Sequence, residues 1–457
     1  MMKKHLLFLL AALALSGVWF AGCSSDDPEN EPGEQIDPDD LEPLQRSVPV
    51  TENWIYDKRP AITVHIGNPN PVAVEAKVKV RLTTDVHTAV CTIEKSFDIP
   101  ANAETDVVVT TDSDLDPGFY QAECYVNGKS ARNFHFGVSP FEIVSAPDMQ
   151  EDFDSFWETA RSQLPPIDGT TVSLTEIRSS ESCKVYFVEM QSVPDGLEGE
   201  PVIVRGYYLE PQDGAKHPVL LHFQGYDTLN NPPRISTPGP NNGEFAEFYL
   251  SHRGQYINHR PASKRDDGID KDFENIYGDW FAYHFGDKNS YYYRGAFMDC
   301  VQTVRFVASR PTTDVKNIFA EGSSQGGALS YAAAALSDIP LAAIAPNVAF
   351  LGDFPDYFKI VSWPGDVAKA SQGSMTDSEM YAFLSYFDTK NLATRISCPV
   401  YATIGLQDRT CPPHTNIAPY NNLTVQDRKM TFFPQMTHDY PPSWYNDIRE
   451  FFKARMK

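Results

Sequence analysis

The rhythm of apolar residues changes once along this chain, near residue 147, and that change limits the folds open to it. Before it, Val74, Ala76, Val78, Val80 and Leu82 alternate with Glu75, Lys77, Lys79 and Arg81. A period of two puts one face of a strand on a core and the other in water. After it, Phe153, Phe156, Trp157, Ala160 and Leu164 recur at the spacing of one helical face. One chain with both rhythms in succession needs a sheet-on-sheet domain followed by a mixed one. Its 457 residues suit two such domains.

The first rhythm spans residues 46–140. Strand-like runs lie at 61–66, 73–82, 89–97, 105–110, 118–126 and 131–138, parted by turn signals at Asn68-Pro69-Asn70-Pro71, Pro117-Gly118 and Asn127-Gly128. Short strands at this spacing predict an antiparallel, Ig-like β-sandwich. It shows no aromatic platform for a glycan, so it reads as a spacer. In residues 141–457 strands and helices alternate. Strand-like runs at 184–190, 202–209, 218–223, 315–320, 341–345, 400–404 and 430–433 are joined by helical runs at 294–308, 325–336 and 444–455. Alternation of that kind predicts an α/β fold, a mostly parallel sheet with helices on both faces. An aromatic, helix-prone stretch at 350–392 is expected to cover the top of that sheet. No repeat of 20–50 residues is seen.

The first 22 residues have the proportions of a signal peptide. Lys3 and Lys4 precede an apolar run at 6–20, shorter than the roughly 20 residues that span a bilayer. Ala21-Gly22-Cys23 resembles a bacterial lipobox, which implies lipidation at Cys23. Ser24-Ser25-Asp26-Asp27 resembles the surface-export signals of Bacteroidetes lipoproteins. Residues 23–45 read as a tether, because nine acids, four prolines and no Lys or Arg leave little to bury. The expectation is an exported protein anchored to the outer membrane, touching membrane only through the lipid at Cys23. The formal net charge of -23 argues against nucleic acid and anionic lipid surfaces as partners. No cysteine pair has metal-ligand spacing, so no metal is expected. Cys91 and Cys124 lie in neighbouring strand-like runs, either bridged or as separate buried thiols.

The chemistry concentrates at Gly322-Ser323-Ser324-Gln325-Gly326. A strand-like run precedes it and a helix of small residues follows, which is the setting a G-x-S-x-G nucleophile requires. A serine cap in a glycine-rich turn is the plain alternative. Serine needs a base, and in this fold the acid and then the histidine follow in chain order. Asp408 comes after the run at 400–404 and is the candidate acid. His438 comes after the final strand-like run and is the candidate base. His414 is its only rival, six residues from Asp408 and so too close to reach the next loop. The backbone N–H groups of Gln325 and Tyr226 are the expected oxyanion donors.

These strings form a larger pattern. Gln224-Gly225-Tyr226, Arg253-Gly254-Gln255, Tyr292-Tyr293-Arg294-Gly295, Ser309-Arg310-Pro311, Gly322 to Gly327, Asp408 with Cys411-Pro412-Pro413, and His438 occur in order. Together they resemble the acetyl xylan esterase and cephalosporin C deacetylase family, an α/β-hydrolase group, over roughly residues 145–457. The resemblance implies deacetylation of xylan-derived or similar oligosaccharides by Ser324, Asp408 and His438, without cofactor. The family typically has His-Gly-Tyr at 224–226, Gly at 256, Glu at 439 and Gly at 323, so the departures crowd the pocket. Many members form ring-like hexamers. Self-association stays open here, with an added domain and a tether opposing that ring. Two rival readings remain, a serine peptidase of the prolyl oligopeptidase type and a non-catalytic glycan-binding lipoprotein.

Overall fold

Alternating burial along each early strand builds the N-terminal domain. The computed structural model describes residues 41–226, 239, 241–255, 257 and 277–457. The expectations for the signal segment, for Cys23 and for nearly all of the tether lie outside them. Strands β1 (Gln45–Ser47), β3 (Ala61–Gly67) and β6 (Glu104–Thr110) form one sheet. Strands β2 (Ile55–Tyr56), β8 (Lys129–Val138), β7 (Gly118–Val126), β4 (Val74–Thr84) and β5 (Ala89–Ile99) form the other, in that order. All pairings but the short β2–β8 contact are antiparallel. Ala76, Val78, Val80 and Leu82 on β4 are fully buried while Glu75, Lys77 and Arg81 are exposed, as a period of two demands. The six described cysteines are free thiols. Cys91 pairs across to Leu82 and Cys124 to Val80, so β4 runs between their strands and no bridge forms.

A nine-stranded sheet makes the second domain. Its order is β17 (Arg428–Phe433), β16 (Val400–Gly405), β15 (Ala343–Asn347), β14 (Thr313–Ser323), β12 (His217–Phe223), β13 (Ala246–Ser251), β11 (Ile203–Pro211), β10 (Cys183–Gln191), β9 (Val172–Ser179). The first five pairings in this order are parallel and the last three antiparallel. Helices α2 (Tyr292–Ser309) and α3 (Gln325–Leu336) cover one face, and helix α1 (Phe153–Ser162) stacks Trp157 on Phe297 of α2. On the other, helix α9 (Trp444–Lys453) packs Trp444, Ile448, Phe451 and Phe452 onto Leu220, Phe319, Ala343 and Tyr401. Four short helices, α4 (Phe354–Ile360), α5 (Gly365–Ser371), α6 (Asp377–Leu384) and α7 (Thr389–Ala393), fill the interrupting stretch.

The sandwich is docked on the second domain. The Gln407 side chain accepts from the His135 N–H at 2.9 Å and donates to the His135 carbonyl at 3.0 Å, so it extends the backbone pairing of β8 into the loop after β16. At the end of helix α8 (Pro413–Asn421), Asn421 donates to the carbonyls of Pro140 and Ile143, and Asn422 to that of Ser145. Phe141 meets the rings of Tyr420 and Phe432. Leu44–Lys457 is accordingly one compact unit.

Candidate active site

Ser324 stands between β14 and α3 with φ 60° and ψ −123°, a left-handed conformation that costs a non-glycine residue energy. The glycines around it make the turn possible. A Cβ at Gly322 would come within 2.5 Å of the Gly326 carbonyl carbon and oxygen, and one at Gly326 would overlap the Phe223 carbonyl oxygen. Strand β12, the turn and the first turn of α3 thus pack backbone on backbone. The turn is pinned from β15 and beyond: the Ser324 N–H donates to the Asn347 carbonyl, and the Ser324 carbonyl accepts from the Phe350 N–H, both at 3.0 Å.

Asp408 and His438 come together from the loops after β16 and β17. His438 Nδ1 lies 2.7 Å from Asp408 Oδ2. The other carboxylate oxygen accepts from the N–H groups of Thr410 at 2.7 Å and Cys411 at 2.9 Å, and the whole carboxylate is buried. This arrangement fixes the proton on Nδ1 and leaves the Nε2 lone pair free. His414, the rival base, points elsewhere, with Nε2 3.0 Å from Asp353 and 3.3 Å from Ser145. Burial works against its charge, but hydrogen bonds to Asp353 and Asp356 outweigh that and raise its pKa to about 9. Asp353, Asp356 and His414 have the spacing of a cation site among the described residues. Yet Asp353 also takes the Lys390 ammonium at 2.9 Å, so the cluster's charges are already matched.

Gln325 opens α3, so its N–H has no partner within the helix. Its side chain is buried and fully engaged. Tyr293 Oη donates to Oε1 at 2.8 Å, and Nε2 donates to His252 Nε2 at 2.9 Å. His252 then holds its proton on Nδ1, 2.8 Å from Tyr292 Oη, whose own proton goes to the Arg253 carbonyl. Burial lowers the His252 pKa to about 4, so the ring is a neutral acceptor. Arg253 is anchored in turn by Asp299 and Asp195, against Gly295, where any Cβ would overlap the guanidinium. Tyr226 follows Gly225, which lies alongside Ser323 and Ser324 in the turn after β12. Its hydroxyl donates to Asp279 at 2.5 Å, and its ring meets Trp280, Phe350 and Trp363.

Ser324, His438, Gly225 and Tyr226 share a cavity of about 550 Å³. Its far wall holds a buried pair that sequence reasoning missed, His222 Nδ1 with Glu321 Oε1 at 2.5 Å. His222 Nε2 lies 3.5 Å from Glu247, too far for a full hydrogen bond, and Glu247 is held instead by Tyr249 and Arg449, both at 2.7 Å. Burial opposes a charge on His222, but its two carboxylate neighbours raise its pKa to about 9. The residues were legible in principle, since His222 and Glu321 sit in register on adjacent strands, but register is not visible in one sequence. His252 was missed as well, and Cys411 entered only as part of the family pattern, with no place beside Ser324. Cys411 touches the Ser324 side chain, and burial holds its thiol well above its usual pKa, so it is no rival nucleophile.

The family model for acetyl xylan esterase (AXE1) matches residues 142–456. The chain is 28% identical over 316 residues to acetyl esterase Axe7A of Xylanibacter ruminicola, an alignment covering 68% of each protein. It is similar in structure to the acetyl xylan esterase of a Paenibacillus species, at 26% identity and a TM-score of 0.56, over 69% of this chain and 98% of the other. Acetyl xylan esterase 1 of a Thermoanaerobacterium species shares the fold at 24% identity and a TM-score of 0.55, over 70% of this chain and 98% of the other.

Proposed function

This chain belongs to the acetyl xylan esterase family, and on that premise we propose that it deacetylates xylan-derived or similar oligosaccharides with Ser324 as nucleophile, His438 as base and Asp408 as its orienting acid. Family membership makes the chain a carboxylic-ester hydrolase acting on carbohydrate acetyl esters. The observation that carries the residue assignment is that His438, 2.7 Å from Asp408, lines one cavity with a strained Ser324.

In the proposed mechanism His438 Nε2 takes the Ser324 proton as Oγ attacks the acetyl carbonyl. Asp408 stabilises the imidazolium that results. The developing oxyanion is met by the N–H groups of Gln325 and Tyr226. Collapse expels the sugar alkoxide, which takes the proton from His438. Water, activated by the same histidine, then attacks the acetyl-enzyme, and acetate leaves with Ser324 restored. We further propose that the chain is exported and lipid-anchored at Cys23, as the lipobox-like Ala21-Gly22-Cys23 supports. Acetate release from acetylated xylo-oligosaccharides, wild type beside Ser324→Ala, tests the chemistry. The variant is expected to lose about three or more orders of magnitude in kcat with folding intact. A folded variant that turns over like wild type would refute the assignment.

A further inference from the structure

We propose that the seam between the sandwich and the catalytic domain is a glycan-binding site that reads a carboxylate on the substrate, with Arg409 as its principal contact. This rests on the carbohydrate-esterase reading above and deepens it. A cavity of about 500 Å³ opens there, and His438 lines it as well as the cavity that holds Ser324. The base thus stands between two spaces. Tyr226, one of the two proposed oxyanion donors, lines the first, which leaves the second for part of the alcohol that departs.

The walls come from both domains. On the sandwich side Gln121 and His135 are register partners on β7 and β8, and Asn133 and Arg132 continue the same wall. On the catalytic side the cavity is lined by Arg409, next to the acid Asp408, and by Gln435. Amides and guanidinium groups of this kind suit sugar hydroxyls, and the volume is that of a small-ligand site.

Charge narrows the ligand class. Among the described residues two guanidinium groups line this cavity and no carboxylate does, in a chain whose formal net charge is -23. Glu123, in register with Asn133, is turned to Arg81 and does not line it. Burial, and after it the nearby Arg409, lowers the His135 pKa to about 4, so that ring adds no charge at neutral pH. Arg132 is fixed in place. Its guanidinium lies 4.7 Å over the Trp54 ring and donates to the Val48 carbonyl and to Gln435. Arg409 is exposed and has no acidic partner among the described residues. A held cation and an unpaired one lining the same cavity make a receptor for a carboxylate. The fitting substrate is an acetylated oligosaccharide that carries a uronic acid near the acetylated sugar.

The test compares kcat/KM for acetate release from three substrates: a neutral acetylated xylo-oligosaccharide, one bearing a uronic acid, and the latter with its carboxyl methyl-esterified. Wild type is expected to prefer the free acid over its ester by at least about tenfold, through KM. Arg409→Gln is expected to bring that ratio near one. The ester control needs no variant, so it stands even if Arg409→Gln perturbs the neighbouring Asp408. Equal rates on free acid and ester would overturn the proposal while the esterase reading survives. Acetate from none of the carbohydrates, with an aryl acetate still cleaved, would overturn the carbohydrate reading and this site with it.

Discussion

Gly326 has no space for a methyl group, because the Phe223 carbonyl oxygen already occupies the position a Cβ would take. Gly326→Ala must therefore push β12 from the nucleophile turn. We expect it to lower stability by about 1–3 kcal/mol, as overpacking does, and to abolish most activity. A urea midpoint and turnover matching wild type would contradict the packing described for this turn. His252 makes a different case. Replacing it with Phe takes the acceptor from Gln325 Nε2, while Tyr292 Oη keeps the Arg253 carbonyl, a loss of roughly 1–3 kcal/mol for a buried polar group. If the ring positions the residue after Ser324, kcat on an aryl acetate should fall while KM changes little. A stability loss with kcat intact would reduce His252 to a packing residue. At this scale the pairing of His438 with Asp408, and the cavity His438 shares with Ser324, were legible, because chain order and neighbouring strands locate these residues. His252 was not, since its partner lies 73 residues away and no local pattern links them.

Elements with clear punctuation were legible to the residue. The reading places α3 and β7 where the structure has them, at Gln325–Leu336 and Gly118–Val126, each opened by a turn whose chemistry is explicit. Strand β13 was missed. Five of its six residues are buried, so it shows no alternation, and a charged Glu247 at its second position argues against burial. The structure explains the exception through His222, Tyr249 and Arg449. That cluster makes a pH prediction. The His222 pKa is about 9 in the fold, above the roughly 6.5 of an unfolded histidine, so its contribution is complete below about pH 6.5 and lost as pH rises through 9. Burial opposes the charge on Glu247, but its partners lower its pKa to about 2, so its contribution is lost only as pH falls through that value. Wild type should lose denaturant stability between pH 6.5 and 9, and His222→Gln should lose less of it. Parallel slopes over that range would remove His222 from the account, leaving His414, whose pKa is raised likewise, as the group responsible.

Across the whole molecule, two hydrophobic rhythms were enough to foresee two architectures but not their union. No periodicity reports that Gln407 reaches across to β8, or that Asn421 and Asn422 clasp the carbonyls of Pro140, Ile143 and Ser145. One apolar cluster runs from Leu44 and Val48 through the sandwich to Ile417 and Leu423 in the catalytic domain. Independent domains would each close their own core and melt separately. Here Gln407 directly precedes Asp408, so loss of the sandwich would remove an anchor from the loop that carries the acid. Calorimetry of the protein should show one cooperative transition, with activity lost along the same curve. Asn421→Ala with Asn422→Ala should lower that single transition as a whole by a few degrees, because removing such bonds costs about 1 kcal/mol each. Two separated transitions, or a double variant that shifts only the earlier of them, would mean that the sandwich merely rests on the enzyme and contributes nothing to holding Asp408 in place.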